Sequence, residues 1–219
     1  MLEELMKRAI EAFRDYEKVR EEAVSKSNKA RILSKQGILL THKNDLSKAA
    51  RMIVEAKRLL GEISSLDAEF EMNGLGEIQS AWEEYAEAAI FYHLKSSSNY
   101  PSPEEIGASF KIYLLALGDV VGELRRSVLD SLRVGEYAEA ESKFKLMEEI
   151  YLNLVSMEEA QLLLKGLRRK IDVARSVIEN TRGELTAEIG RERLGEHIRQ
   201  LSRNLTRMSW KETPSNLEL

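Results

Sequence analysis

Proline constrains this chain more than any other residue, because it occurs only three times, at Pro101, Pro103 and Pro214. The stretches on either side of the first two prolines, each about a hundred residues long, therefore lack the residue that breaks helix interiors. Alanine, leucine, glutamate, lysine and arginine dominate both stretches, and alternating β-branched residues are scarce. This pattern is typical of helices. The sequence predicts an all-α fold, a bundle of about six to seven long antiparallel helices.

Apolar spacing and turn-forming residues predict where the helices begin and end. Apolar residues recur every three or four positions from Leu2 to about Leu40, which predicts a first helix roughly 55 Å long. Such a helix is longer than a small globule needs, so we expect it to pack against another subunit. The other helices are predicted from Asn44 or Asp45 to about Ser64, over 75–94 after Asn73-Gly74, and over 108–133, 137–155, 157–181 and 185–207. Breaks are predicted at loop 96–103, with a short turn starting at Ser102 or Pro103, at Gly135 and at Arg182-Gly183.

The composition excludes several classes of protein. The chain has no cysteine, which rules out disulfides, a thiolate nucleophile and a cysteine-ligated zinc site, and which suits a reducing cytoplasm. No stretch approaches the roughly 18 consecutive apolar residues of a membrane-spanning helix. The acidic start Met1-Leu2-Glu3-Glu4-Leu5 differs from a secretory signal. We therefore expect a cytoplasmic protein without a membrane-embedded part.

Charge is distributed unevenly along the chain, although the net charge is only −4. Residues 1–60 carry 14 basic and 9 acidic residues, residues 61–160 carry 7 and 20, and residues 161–219 carry 12 and 8. A basic first third could meet a polyanion while the acidic middle holds a separate site. Chance fluctuation along long solvated helices explains the same distribution equally well.

Two pairs of carboxylates are the strongest chemical signal. Glu84 and Glu87 are three residues apart in the third predicted helix, and Asp119 and Glu123 are four apart in the fourth, so each pair shares one helix face. The second pair lies on the stripe of the apolar run 112–121, where repulsion and lost hydration need compensation. Four oxygen ligands without Cys or His suit a hard cation such as Mg²⁺ or Mn²⁺, which could activate water beside a phosphate.

Less specific interpretations compete with a metal site. The first pair can simply face solvent, and the second can form ion pairs with nearby arginines, namely Arg51, Arg125 or Arg126. The three histidines are scattered and form no Glu-x-x-His pair, which argues against a ferritin-like di-iron centre. The sequence also contains no glycine-rich phosphate loop and no serine nucleophile elbow.

Five short motifs follow one another along most of residues 10–185. They are Leu39-Leu40-Thr41-His42-Lys43, Glu84-Tyr85-Ala86-Glu87-Ala88, the segment 113–127 around Gly118-Asp119-Val120-Val121-Gly122-Glu123, Gly135-Glu136-Tyr137 and Arg182-Gly183-Glu184. In order and separation they resemble the translin family, and the branch of translin-associated factor X more closely than translin itself. We therefore expect a translin-like helical domain over 1–185 and a C-terminal helix and tail over 186–219.

The resemblance implies an all-α chain that assembles into barrel-shaped octamers and binds single-stranded RNA or DNA. For the factor X branch it implies a Mg²⁺-dependent endoribonuclease, whose four acidic residues match Glu84, Glu87, Asp119 and Glu123 here. A short amino terminus and a compact 96–103 loop suggest a prokaryotic or archaeal form that assembles with itself.

Basic side chains on or just after the first helix could hold the RNA backbone. They are Lys26, Lys29, Arg31, Lys35, His42 and Lys43. Their other interpretation is a solvated helix face.

Two further functions also remain open: a non-catalytic translin-like shell that holds nucleic acid, and an all-α nucleoside triphosphate pyrophosphatase. The pyrophosphatases usually carry Glu-x-x-Glu followed by Glu-x-x-Asp, which the second pair here, Asp-x-x-x-Glu, fits poorly. A plain helical scaffold would leave the acids of the apolar run without an explanation.

Overall fold

The computed structural model describes residues 1–70 and 75–209 of the chain. Within these ranges the protein is almost entirely helical and contains no strand, which confirms the all-α prediction. The helices there are α1 Leu2–His42, α2 Leu46–Phe70, α3 Gly76–Ser97, α4 Pro103–Ile106, α5 Phe110–Arg133, α6 Tyr137–Ser156, α7 Glu158–Leu163 and α8 Leu167–Ser209. All but α4 and α7 are long, in agreement with the predicted bundle. The predicted turn at Asn73-Gly74 and the tail beyond residue 209 lie outside the described residues.

Most consecutive long helices are antiparallel, as predicted, but α3 and α5 run in the same direction. The segment 98–109, which includes α4, leads the chain back along α3 before α5 begins. Tyr85 holds this segment in place, because its buried hydroxyl donates to the carbonyl of Ile106 at 2.9 Å. Helices α1, α3, α5 and α8 consequently all point the same way, and each contacts the next.

Three helix boundaries differ from the prediction, and one of them is the end of α2, at Phe70 and not near Ser64. Helix α8 continues through Arg182 and Gly183 without a break, because a helical glycine costs only about 1 kcal/mol relative to alanine. Arg182 also bonds Glu148 of α6 at 2.7 Å and so ties this part of α8 to the bundle. The break falls instead at Gly166, whose φ of +96° is a conformation that favours glycine. The predicted helix 157–181 is therefore split into α7 and the start of α8.

Small residues let α1 approach its neighbours closely. The side chains that α1 buries include Ser27, Ser34 and Thr41, and each hydroxyl donates to a carbonyl of its own helix, at 2.8–2.9 Å. A Cβ atom on Gly37 would lie 2.9 Å from Cγ1 of Ile53 in α2. The contact between α1 and α2 therefore depends on a missing side chain at Gly37.

The two longest helices extend beyond the bundle. No side chain of α1 is buried before Ala23, and Phe13 is 74% exposed. Beyond Leu185, the last buried side chain of α8, Leu194 and Leu201 are 61% and 62% exposed. Because α1 and α8 run in the same direction, these two ends project from opposite ends of the bundle. None of the described helices is long and apolar enough to cross a membrane.

The close contact at Gly37 gives a stability prediction. We expect Gly37→Ala to destabilise the protein by about 1–2 kcal/mol, because overpacking against Ile53 outweighs the gain in helix propensity. Gly61→Ala, also within a helix but with no atom within 4 Å of the added Cβ, should stabilise by about 0.5–1 kcal/mol. Urea unfolding of both variants at one protein concentration measures the difference. Equal shifts in the same direction would contradict the packing argument.

Candidate functional site

Three carboxylates lie on the side of α3 that faces α1, α5 and α8. The Oε1 atom of Glu84 is 3.4 Å from Nζ of Lys35 in α1. The Oε2 atom of Glu83 is 3.0 Å from Nζ of Lys170 in α8, and Glu87 follows one turn later. The helix is held in this orientation by the neighbouring side chains of Tyr85, Ala86 and Ala88, which are buried in the core.

Two further carboxylates come from α5. Asp119 forms an ion pair with Lys170, which thus bridges α3 and α5. Glu123 lies one turn later, and its Oε2 atom is 2.5 Å from Nε2 of His42 at the end of α1. The His42 ring is almost fully buried and packs against Phe91 of α3, with 4.7 Å between ring centroids. Acids from α3 and α5 therefore share basic partners supplied by α1 and α8.

The carboxylates from the two helices act on one another. Burial, followed by the charges of Asp119, Glu123 and Glu84, raises the pKa of Glu87 to about 8. Burial also raises the pKa of Asp119, although Lys170 opposes this shift. Such coupling requires short distances. The structure thus brings the four predicted residues together in one group, which with Glu83 we term the acidic cluster.

Three basic side chains contact the acidic cluster: Lys35, His42 and Lys170. Glu87 alone in the cluster has neither a hydrogen bond nor an ion pair within the described part of the chain. As the side chains stand, the described residues contain no group of three His, Asp or Glu that could hold a metal ion. The physical reason is that the acids point to amines and an imidazole, and not to a common centre.

The first less specific interpretation of the acids is wrong, and the second is right only in that Asp119 and Glu123 pair with basic side chains. Glu84 and Glu87 do not simply face solvent, because both are half-buried between helices. Arg125 does not pair with the acids of α5, because it donates to the Thr181 hydroxyl at 2.8 Å and to Glu184 at 2.9 Å. The partners of the acids are a lysine and a histidine from other helices.

Sequence reasoning missed Glu83 and Lys170. Glu83 could have been suspected, since it adjoins Glu84, but nothing in the sequence connects Lys170 with Asp119, 51 positions earlier. Gly118 makes their contact possible, because a Cβ there would lie 2.9 Å from Cβ of Lys170. Glu83 also accepts a hydrogen bond from Gln79 at 2.8 Å. The acidic cluster therefore continues into a polar network along α3.

The six basic residues predicted to hold RNA do not form one surface. Only Lys35 and His42 contact the acidic cluster. Lys26 bridges Glu22 and Glu62 on the α2 side of α1, at 2.7 and 3.1 Å. The other three lie apart from the acids: Lys29 is near Glu55 of α2, Arg31 is half-buried with an Nε atom that has no hydrogen-bond partner, and Lys43 is exposed just beyond α1.

Comparison with known proteins places this fold in a class. No family model matches the sequence. An uncharacterized protein of Methanocaldococcus jannaschii is 33% identical over 133 residues, and the match spans 60% of each chain. The crystal structure of apo-NeC3PO has a TM-score of 0.76 at 25% identity, covering 84% of this chain and 96% of that one. The crystal structure of AfC3PO has a TM-score of 0.73 at 31% identity, covering 85% and 96%. AfC3PO in a complex with duplex RNA has a TM-score of 0.71 at 30% identity, covering 85% and 95%.

These matches, together with the row of parallel helices that carries the acidic cluster, define an all-α protein of the C3PO type. The chain belongs to the translin family.

The raised pKa of Glu87 predicts how stability depends on pH. Because the folded protein holds this proton up to about pH 8 and the unfolded chain loses it near its ordinary pKa of about 4.5, stability should fall as pH rises between the two values. Glu87→Gln removes this loss, so it should exceed the wild type by a few kcal/mol at pH 8 and approach it at pH 5. Urea unfolding without divalent cations tests this, with the exposed Glu141→Gln as control. Parallel pH profiles for wild type and Glu87→Gln would refute it.

Proposed function

We propose that this protein is a Mg²⁺-dependent endoribonuclease that binds RNA and hydrolyses its phosphodiester bonds at the acidic cluster. The observation that carries the proposal is that Glu84, Glu87, Asp119 and Glu123 lie on two neighbouring helices, close enough for their charges to act on one another. The likeness to C3PO structures, one of them in a complex with duplex RNA, supports it.

The donor atoms of the cluster fit a hard divalent cation. All are carboxylate oxygens, which Mg²⁺ and Mn²⁺ prefer. The cluster already holds one positive group, because the ammonium group of Lys170 bridges Glu83 and Asp119. Glu87 is the carboxyl without a partner, and a cation would bind its charged form and release the proton. Glu84, Glu87, Asp119 and Glu123 are therefore the residues that would hold the ion.

The remaining chemistry can be assigned to side chains of this chain. When bound, a divalent cation supplies Lewis-acid stabilisation of charge on the phosphodiester. The His42 ring, hydrogen-bonded through Nε2 to Oε2 of Glu123, can hold this carboxylate in position to bind the cation. Lys35, 59% exposed and next to Glu84, can contact an incoming phosphate. No covalent intermediate is needed.

The proposed selectivity for RNA depends on contacts between basic side chains and the phosphate backbone. Lys35 and His42 contact the cluster and are the candidates for binding the phosphate next to it, whereas Lys26, Lys29, Arg31 and Lys43 lie apart from it. Contacts of this kind read the backbone and carry no base sequence. We propose a preference for single strands, because an unpaired strand can bring its phosphate to a recessed cluster more easily than a duplex. The AfC3PO complex contains duplex RNA, so both forms must be compared in binding assays.

The projecting helix ends support assembly with further copies of this chain. Leu194 lies nine residues beyond the buried Leu185, about 180° around the helix. Ile198, Leu201 and Leu205 continue its stripe at steps of four, three and four residues, and all are 57–67% exposed. Because this stripe faces away from the chain's own bundle, we propose that it packs against another subunit in a homo-oligomer, with an octamer favoured.

Cleavage assays test the nuclease directly. Glu87→Ala and Asp119→Ala should each lower Mg²⁺-dependent cleavage of a single-stranded RNA by about a hundredfold or more, with oligomer mass and RNA affinity retained. The exposed Glu141→Ala should cleave like the wild type. Cleavage that persists in EDTA, or that survives both substitutions, would disprove the proposal.

A non-catalytic, RNA-holding shell is the second candidate. The specific observation in its favour is that Lys35, His42 and Lys170 already neutralise Glu84, Glu123 and Asp119. If RNA binds but is not cleaved in Mg²⁺ or Mn²⁺, this second function is correct.

Assembly has its own prediction. Leu201→Glu places a charge in the proposed subunit contact, where burial costs several kcal/mol and weakens association more than a hundredfold. Light scattering during size-exclusion chromatography should show a smaller particle. Leu152→Glu, at a similarly exposed leucine of α6 (63% against 62%), should keep the wild-type mass. The same mass for both variants and the wild type would exclude the α8 stripe from the contact.

A further inference from the structure

Lys170 lies between carboxylates of the acidic cluster, although it belongs to none of the five motifs that resemble the translin family. Its ammonium group forms ion pairs with Asp119 of α5 and, at 3.0 Å, with Glu83 of α3. The side chain is 21% exposed, so its charge is only partly screened by water. Of its two partners, Asp119 is a proposed cation ligand and Glu83 is not.

The backbone is shaped to bring Lys170 to this position. Gly118 directly precedes Asp119, and a Cβ there would meet the Lys170 side chain at 2.9 Å from its Cβ and 3.4 Å from its Cδ. The stem of the lysine therefore lies against the bare backbone of α5. This close approach fixes the stem, while the ammonium group at its end contacts two carboxylates at once.

We propose that Lys170 is a built-in counter-ion that competes with the divalent cation for the acidic cluster. Without the cation, the ammonium group neutralises Asp119. When a cation is bound, Asp119 turns to the cation and the ammonium group remains with Glu83 alone. Lys170 thus lowers the affinity of the cluster for cations, and Glu83 is the positioning residue that receives the displaced amine. This inference rests on the proposed cation site.

Titration calorimetry with MnCl₂ alone, on full-length protein stripped with EDTA, tests the competition. Lys170→Met keeps the length of the stem and removes the charge, so it should tighten Mn²⁺ binding about tenfold or more. Lys170→Arg keeps the charge and should stay within a few-fold of the wild type. Lys26→Met is the matched control, since Lys26 also bridges two carboxylates and is 25% exposed, but lies on the α2 side of α1. It should leave Mn²⁺ affinity unchanged.

Thermal unfolding supplies a second readout that does not depend on activity. Lys170→Met should melt at a lower temperature than the wild type in EDTA, because the acids lose their counter-ion, and should gain more from added Mn²⁺. Lys170→Gln, which can still bond both carboxylates, should behave in the same way and guards against a folding defect in the methionine variant. Glu83→Gln alone should weaken Mn²⁺ binding, because the displaced amine then has no carboxylate to receive it. The same substitution should have less effect when it is combined with Lys170→Met.

The outcomes separate the inference from the proposed function. If the wild type binds Mn²⁺ and Lys170→Met binds it equally or more weakly, the competition is disproved while the cation site stands. If neither the wild type nor the Lys170 variants bind Mn²⁺ or Mg²⁺, the cation site and the competition fail together. Tighter binding in Lys170→Met and Lys170→Gln, but not in Lys26→Met, establishes Lys170 as the competitor.

Discussion

Repulsion among carboxylates that are partly removed from water is the constraint on which the rest of this structure depends. Glu83, Glu84 and Glu87 from α3 lie beside Asp119 and Glu123 from α5, and burial removes Glu87 and Asp119 from water. Two other helices supply the partners of these acids, namely the ammonium groups of Lys35 and Lys170 and the imidazole of His42. Glu87 is left without a partner in the described part of the chain, and it keeps its proton up to about pH 8 instead.

The course of the chain explains how those groups reach one place. Because the segment 98–109 returns along α3, helix α5 begins beside the start of α3 and runs in the same direction. The acids of the two helices therefore lie at the same height in the bundle. Because Gly118 has no side chain, α5 can approach Lys170 of α8 closely. Lys170 therefore serves both packing and charge compensation, because its stem lies against Gly118 and its ammonium group pairs with Asp119.

The chain separates its central site from its projecting ends. The middle of the bundle buries the acidic cluster, while the first turns of α1 and the last turns of α8 expose apolar side chains in opposite directions. An apolar stripe that faces away from its own bundle is stabilised only by covering it with another surface. The proposed assembly would join neighbouring copies through these ends and leave the central face of α1, with Lys35 and His42, beside the cluster that it serves.

The sequence by itself determined the helices and the faces of the acidic pairs, because these features depend on residues three or four positions apart. The scarcity of proline predicted the long helices, and Ser102 and Pro103 predicted the start of α4. Spacings of three and four residues placed Glu84 with Glu87, and Asp119 with Glu123, on shared helix faces. Local spacing could not distinguish Gly183, which stays helical, from Gly166, which breaks the helix with a positive φ. The tertiary structure alone decided that Lys170 and His42, and not the arginines of α5, compensate the acids. That choice depends on how closely α1, α5 and α8 approach, and residues more than fifty positions apart leave no trace of such distances in the sequence.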